Sequence, residues 1–121
     1  PRIIFYGSYS SEQLGDVFNS MDVLVTPSIC YESYSLVLHE ALASNVPIIA
    51  SDLGGMSEEI EDGYNGFTFS AGNSIELKNK MELIINDITI LNKIKNNIRR
   101  NVIVPSIEQE SYSYYQIYNS I

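Results

Sequence analysis

A chain of 121 residues with 45% hydrophobic content can close one compact core and leaves no room for two. Its formal charge of −8 and pI near 4.4 exclude nucleic acid as a partner, because holding a phosphate backbone needs clustered Lys and Arg. A single cysteine, Cys30, excludes an internal disulfide framework and reads as a buried, inert thiol in a reducing compartment.

In chain order, Ile3-Ile4-Phe5-Tyr6 is an apolar run stopped by Gly7 and is expected to be a buried strand. Ser10 followed three residues later by Gln13 is a capping-box pattern, and the helix it opens places Leu14, Val17, Phe18 and Met21 on one face. Asp22–Thr26 is nearly continuous in apolar and β-branched residues, and Pro27 ends it as a second strand. Strand, helix and strand form a βαβ unit with parallel pairing, and ligands on such sheets sit beyond the carboxyl ends of the strands. The Tyr31–Ser35 turn lies at such an end.

The next helix is expected from about Ser35 to Ser44, with Glu40 projecting between Leu36 and Val37. A carboxylate flanked by apolar side chains needs a partner. Two readings stand open for it: a half-solvated Glu stabilised by the helix dipole, or a group reserved for ligand hydroxyls. His39, the only histidine, has no Ser, Cys or Asp constellation around it and reads as a packing residue. Asn45 suits a left-handed C-cap, and Pro47–Ser51 is the third strand. Gly54-Gly55 allows a close backbone turn, for which a plain turn and a lining of the ligand site are equally good readings. Ser57–Glu61 is expected to be a short helix, Asp62–Gly66 a tight turn and Phe67–Ser70 the fourth strand. Helices are expected over Ser74–Asn86 and Ile88–Arg100, and a last one, capped by Ser106 and Gln109, carries Ile107, Tyr114, Tyr118 and Ile121 as a packing stripe. Lys78, Lys80, Lys93, Lys95, Arg99 and Arg100 all fall on the penultimate helix pair. A solvated face is the favoured reading of that charge, with contact to anionic lipid headgroups as the other. No apolar run approaches the roughly 20 residues of a membrane-spanning helix and no signal-peptide pattern opens the sequence, so a soluble or peripheral protein is expected.

Everything in this pattern converges on the start of the central helix. A helix N-terminus carries unpaired N–H groups and a partial positive charge suited to a phosphate. Glu32 and Glu40 bracket it, and carboxylates cannot hold a phosphate but can accept hydrogen bonds from hydroxyl groups beside one. A diphosphate with a sugar at each end fits both facts. The stretch has no Lys or Arg between Arg2 and Lys78, so no such side chain there neutralises the diphosphate.

The ordered set Pro27-Ser28, Glu32, Glu40-Ala41-Leu42-Ala43, Pro47-Ile48-Ile49-Ala50-Ser51, Gly54-Gly55-Met56-Ser57-Glu58 and Asp62-Gly63-Tyr64-Asn65-Gly66 resembles the retaining glycosyltransferases of the GT-B fold related to sucrose and glycogen synthases (family 4, group 1). The resemblance covers roughly residues 3–121. It implies an α/β, Rossmann-like three-layer sandwich with a mainly parallel sheet, the C-terminal donor-binding half of such an enzyme, over residues 1–121. It also implies transfer of a hexose from a nucleoside-diphosphate sugar with retention of configuration, without a metal or other cofactor. Carried over residue by residue, Glu32 would take the catalytic place against the transferred sugar and Glu40 the ribose. The backbone at Ser33, Tyr34, Ser35 and Leu36 would receive the diphosphate.

Where the family has Phe-Gly, this sequence has Tyr34-Ser35, and a Cβ at Ser35 narrows the backbone angles open to it. The resemblance further implies two upstream βα units, with the Arg and Lys that neutralise the diphosphate, and an N-terminal acceptor-binding domain. The chain is therefore read as a fragment, inactive by itself, of a cytoplasmic enzyme that works in solution or at the cytoplasmic membrane face. The alternative is a non-catalytic nucleotide-binding α/β module. A dinucleotide-dependent oxidoreductase is disfavoured because no Gly-x-Gly-x-x-Gly follows a strand.

Overall fold

The computed structural model describes residues 2–120. A 3₁₀ turn, Ser11–Gln13, runs into helix α1 (Leu14–Asn19), and strand β1 (Leu24–Thr26) follows. Then come α2 (Leu36–Ala43), β2 (Ile48–Ser51), α3 (Gly55–Glu59), β3 (Gly66–Phe69), α4 (Ser74–Asn86), α5 (Ile88–Asn101) and α6 (Ile107–Asn119). The three strands form one parallel sheet in the order β1-β2-β3. Val25 aligns with Ile49, and Ile49 with Phe67.

Neighbouring residues on a strand point to opposite faces, so the burial of both Ile48 (0% exposed) and Ile49 (1%) means that β2 is covered on both sides. On the face of Val25 and Ile49, helix α4 presents Met81 and Ile84. Leu91, Ile94 and Ile98 recur at helical spacing along α5 and are buried. Phe18, Leu38 and Met56 complete the best-buried part of the core. Gly66 is required where β3 meets β2, because a Cβ there would run into the Ile48 carbonyl.

The expected caps are present. Ser10 N–H donates to Gln13 Oε1 (3.0 Å) and Ser106 N–H to Gln109 Oε1 (2.8 Å). Asn45 takes the left-handed conformation with φ 61°. Three expectations are corrected. Ile3–Tyr6 forms no strand and lies in solvent, Phe5 being 94% exposed. An apolar tetrapeptide becomes a strand only against a ladder partner, and none of β1, β2 or β3 pairs with it. The short helix begins at Gly55, two residues earlier than expected, because Gly54 at φ 61° makes the turn into it. Cys30 is exposed, since it belongs to the β1–α2 loop and not to the core; its N–H donates to Ser28 Oγ in a local turn.

Three of the six basic residues on the helix pair form ion pairs within the molecule. Lys80 Nζ donates to Asp62 Oδ2 (2.6 Å), Lys78 approaches Glu82 (3.3 Å) and Lys95 approaches Asp22 (3.4 Å). No helix among the described residues is long and apolar enough to cross a membrane. Helix α6 buries none of its described residues, leaving Tyr114 and Tyr118 exposed; Ile121 lies outside the described residues.

Asp62 ties the turn before β3 to α4. Thr68 N–H (2.5 Å) and Thr68 Oγ1 (3.0 Å) donate to its Oδ1, and Lys80 holds Oδ2. Partial burial pushes its carboxyl up, but the Lys80 and Thr68 hydrogen bonds outweigh that and leave it below the ordinary carboxylate value. A depressed folded value stabilises the fold above the unfolded value, and the gain is lost as pH falls through the folded one. Asp62→Asn is therefore expected to lower stability at neutral pH by about 1 kcal/mol, a figure discounted for half-exposure, with the difference from the parent closing below about pH 4. Urea titrations of both proteins at several pH values check this.

Candidate functional site

The loop 27–35 leaves the carboxyl end of β1 and enters α2, and two features fix it. Gly55 N–H donates to Glu32 O at 2.8 Å. A Cβ on Gly54 would strike Glu32 O, and one on Gly55 would strike Ser33 O. The paired glycines thus exist so that the start of α3 can lie flat against the backbone of Glu32 and Ser33. They are thus more than a plain turn, since they buttress the loop.

Ser35 occupies the N-cap position, 4% exposed, yet its side chain makes no capping hydrogen bond. Its φ of −107° and ψ of 106° are ordinary extended values, so serine sits there without strain and the expected conflict with glycine does not arise. With no cap, the N–H groups of Leu36, Val37 and Leu38 have no backbone or side-chain acceptor among the described residues. A helix end left in this state is completed by water or a ligand. Leu36 is exposed and lies at the helix entrance.

Glu32 and Ser33 are exposed on the loop, so the Glu32 carboxylate is presented to solvent beside the free helix end. Glu40 is half-buried, roughly 8 Å along the axis from Ser35 at 1.5 Å per residue. No ion pair or hydrogen bond engages its carboxylate among the described residues. The partner that its apolar flanks call for is not supplied by the described residues. Two buried hydroxyls, Thr26 Oγ1 and Ser51 Oγ, also lack a partner among the described residues and mark the carboxyl ends of β1 and β2. Among the described residues no three His, Cys, Asp or Glu side chains cluster as metal ligands do.

Tyr34 stacks on His39 with ring centroids 4.1 Å apart and planes inclined by 16°. Its phenol is held above the ordinary tyrosine value, first by desolvation and then by the carboxylates of Glu110 and Glu59. His39 does more than pack: Nδ1 lies 2.8 Å from Ser35 O, and Nε2 lies 3.8 Å from Glu59 Oε1. Reasoning from sequence missed Glu59, an exposed acid 20 residues downstream that carries no periodic or motif signal.

The model of the family described as "Glycosyl transferases group 1" matches residues 1–101. The chain belongs to the group 1 glycosyltransferases. Within this family it is 29% identical over 101 residues to the uncharacterized glycosyltransferase MJ1607 of Methanocaldococcus jannaschii, covering 84% of this chain and 26% of that one. Among solved structures, sucrose-phosphate synthase from Thermosynechococcus elongatus superimposes with a TM-score of 0.84 at 27% identity, over 99% of this chain and 31% of that one. HepE of Anabaena, in complex with UDP, gives a TM-score of 0.65 at 30% identity, over 68% and 22% respectively. The chain thus spans about a quarter of the length of MJ1607. Its fold is that of the Rossmann-like donor-binding half of a GT-B glycosyltransferase.

Proposed function

We propose that this chain is the donor-binding half of a retaining family 4 enzyme that transfers a hexose from a nucleoside-diphosphate sugar, with no resident metal or cofactor. The observation that carries the reading is the uncapped N-terminus of α2 set between two acids, Glu32 and Glu40, whose carboxylates no other side chain engages among the described residues. The HepE structures, which hold UDP or UDP-glucose, support the same ligand class. In this reading the free N–H groups of the first turn take the diphosphate and stabilise the charge that grows on it as the glycosidic bond breaks. Glu32 accepts hydrogen bonds from hydroxyls of the transferred sugar, and Glu40 accepts those of the ribose. The chain works as part of a longer cytoplasmic polypeptide whose acceptor-binding domain supplies the second substrate, and the 121 residues alone transfer no sugar.

Glu40 supplies the test. In the intact enzyme, Glu40→Ala is expected to cost about 1.5–3 kcal/mol in nucleotide affinity, the range for hydrogen bonds to a charged group. With a 2′,3′-dideoxy nucleotide the parent and the variant should bind alike. Calorimetry on the two ligands decides the matter, because an equal loss for both would remove ribose from the role of Glu40.

A further inference from the structure

A diphosphate needs positive charge, and between residues 3 and 77 the only side chain able to carry it is His39. It occupies the fourth position of α2, and its place in the structure is defined by three contacts. Nδ1 lies 2.8 Å from Ser35 O, the carbonyl at the helix start. A carbonyl only accepts, so Nδ1 carries the hydrogen, and in the neutral ring Nε2 is the lone-pair atom. That atom lies 3.8 Å from the Glu59 carboxylate, which only accepts as well. A proton on Nε2 therefore converts a contact with nothing to share into an ion pair between α2 and α3. The third contact is the stack on Tyr34, which covers one ring face.

The charged groups around the ring come from every element packed on it. Glu59 belongs to α3, and Glu110 of α6 lines the same cleft of about 250 Å³, whose remaining wall is the apolar stretch Val102–Pro105. Glu59 and Glu110 are the acids that face the ring, Tyr34 is the neutral ring stacked on it, and the start of α2 brings a partial positive charge. The geometry also closes a circuit. Helix α3 is held at its first residue by Gly55 N–H on Glu32 O and faces His39 at its last residue, Glu59.

We propose that His39 is a positioning residue for the donor pocket, and that protonation of its Nε2 locks the start of α2 to α3 and adds positive charge beside the helix end that receives the diphosphate. This rests on the nucleotide-sugar reading above. The test measures affinity for a panel of UDP-, GDP- and ADP-sugars, by calorimetry on the intact enzyme. Their doubly esterified diphosphates keep a constant charge over roughly pH 8 to 5.5, the interval in which histidine titrates, so any pH dependence belongs to the protein. Affinity for the best-bound sugar nucleotide is expected to rise about three- to tenfold as pH falls across that interval. His39→Phe, which keeps a ring against Tyr34, should abolish the rise, and Glu59→Gln, at a 48% exposed side chain that the core does not need, should reduce it. Nitrogen-15 spectra of histidine-labelled protein, with His39 assigned by the loss of its signals in His39→Phe, should show hydrogen on Nδ1 at high pH. An Nε2–H tautomer, or an unchanged pH dependence in both variants, would overturn the proposal and leave the nucleotide-sugar reading standing. Failure of every sugar nucleotide to bind would remove both.

Discussion

Glu32→Ala in the intact enzyme is expected to lower turnover about a hundredfold, an effect of the size seen when one transition-state contact is deleted. Affinity for the nucleoside diphosphate alone should change by less than about threefold, because the sugar hydroxyls, absent from that ligand, are what Glu32 would contact. The split is expected because the Glu32 side chain is exposed and its backbone, not its carboxylate, holds the loop through Gly55. Truncating the side chain leaves that hydrogen bond in place. Steady-state kinetics with a radiolabelled donor, beside nucleotide calorimetry, checks both halves. Equal losses in turnover and in nucleotide affinity would place Glu32 on the nucleotide and not on the transferred sugar.

Gly55→Ala is expected to be the most disruptive single methyl group in the site. Its Cβ would fall on the Ser33 carbonyl, with the carbonyl carbon 2.8 Å away, and both neighbours are backbone, which cannot rotate aside. Relief requires α3 to lift off the loop, breaking the Gly55–Glu32 hydrogen bond, or the loop to move and carry Glu32 with it. Overpacking of this kind costs about 3 kcal/mol, at the upper end of its usual range. Donor affinity should fall with stability, since both depend on the same contact. A chemical-denaturation midpoint and a donor titration on the purified variant measure the two effects, and a Gly55→Ala protein matching the parent in both would show that α3 is not the buttress described.

What was legible in the sequence was whatever local chemistry dictates. The caps at Ser10 and Ser106, the left-handed Asn45 and the helices after Asn73 and Asp87 depend on residues within four positions of one another, and they stand where expected. The parallel strands were legible because their runs are rich in apolar and β-branched residues, which are fully buried in β2 and mostly buried in β3. Ile3–Tyr6 was misread because its apolarity describes what the segment would do beside a partner strand, and a sequence does not say which partner stands there. Cys30 was misread on residue type alone, although its setting among polar loop residues argued for exposure. In the site, Glu32 and Glu40 were visible through their spacing. The contact of His39 with Glu59 and the tightness of Gly54-Gly55 against residues 32–33 were not, because each joins segments about 20 residues apart through the fold.

Helix α6 is well capped yet buries nothing, and that combination divides the molecule into two tiers of cooperativity. A 13-residue helix that buries none of its residues, ordered chiefly by its own hydrogen bonds and one capping box, is near the length at which helices in water become marginal. None of its residues is buried, so within residues 2–120 its opening draws little on the contacts that hold Ile94, Ile98 and the sheet together. Its order is thus nearly independent of the core, and Glu110, which faces Tyr34 and the His39 cleft, arrives and leaves with it. The electrostatic surroundings of the His39 cleft are in that sense hinged on a helix that buries none of its own residues.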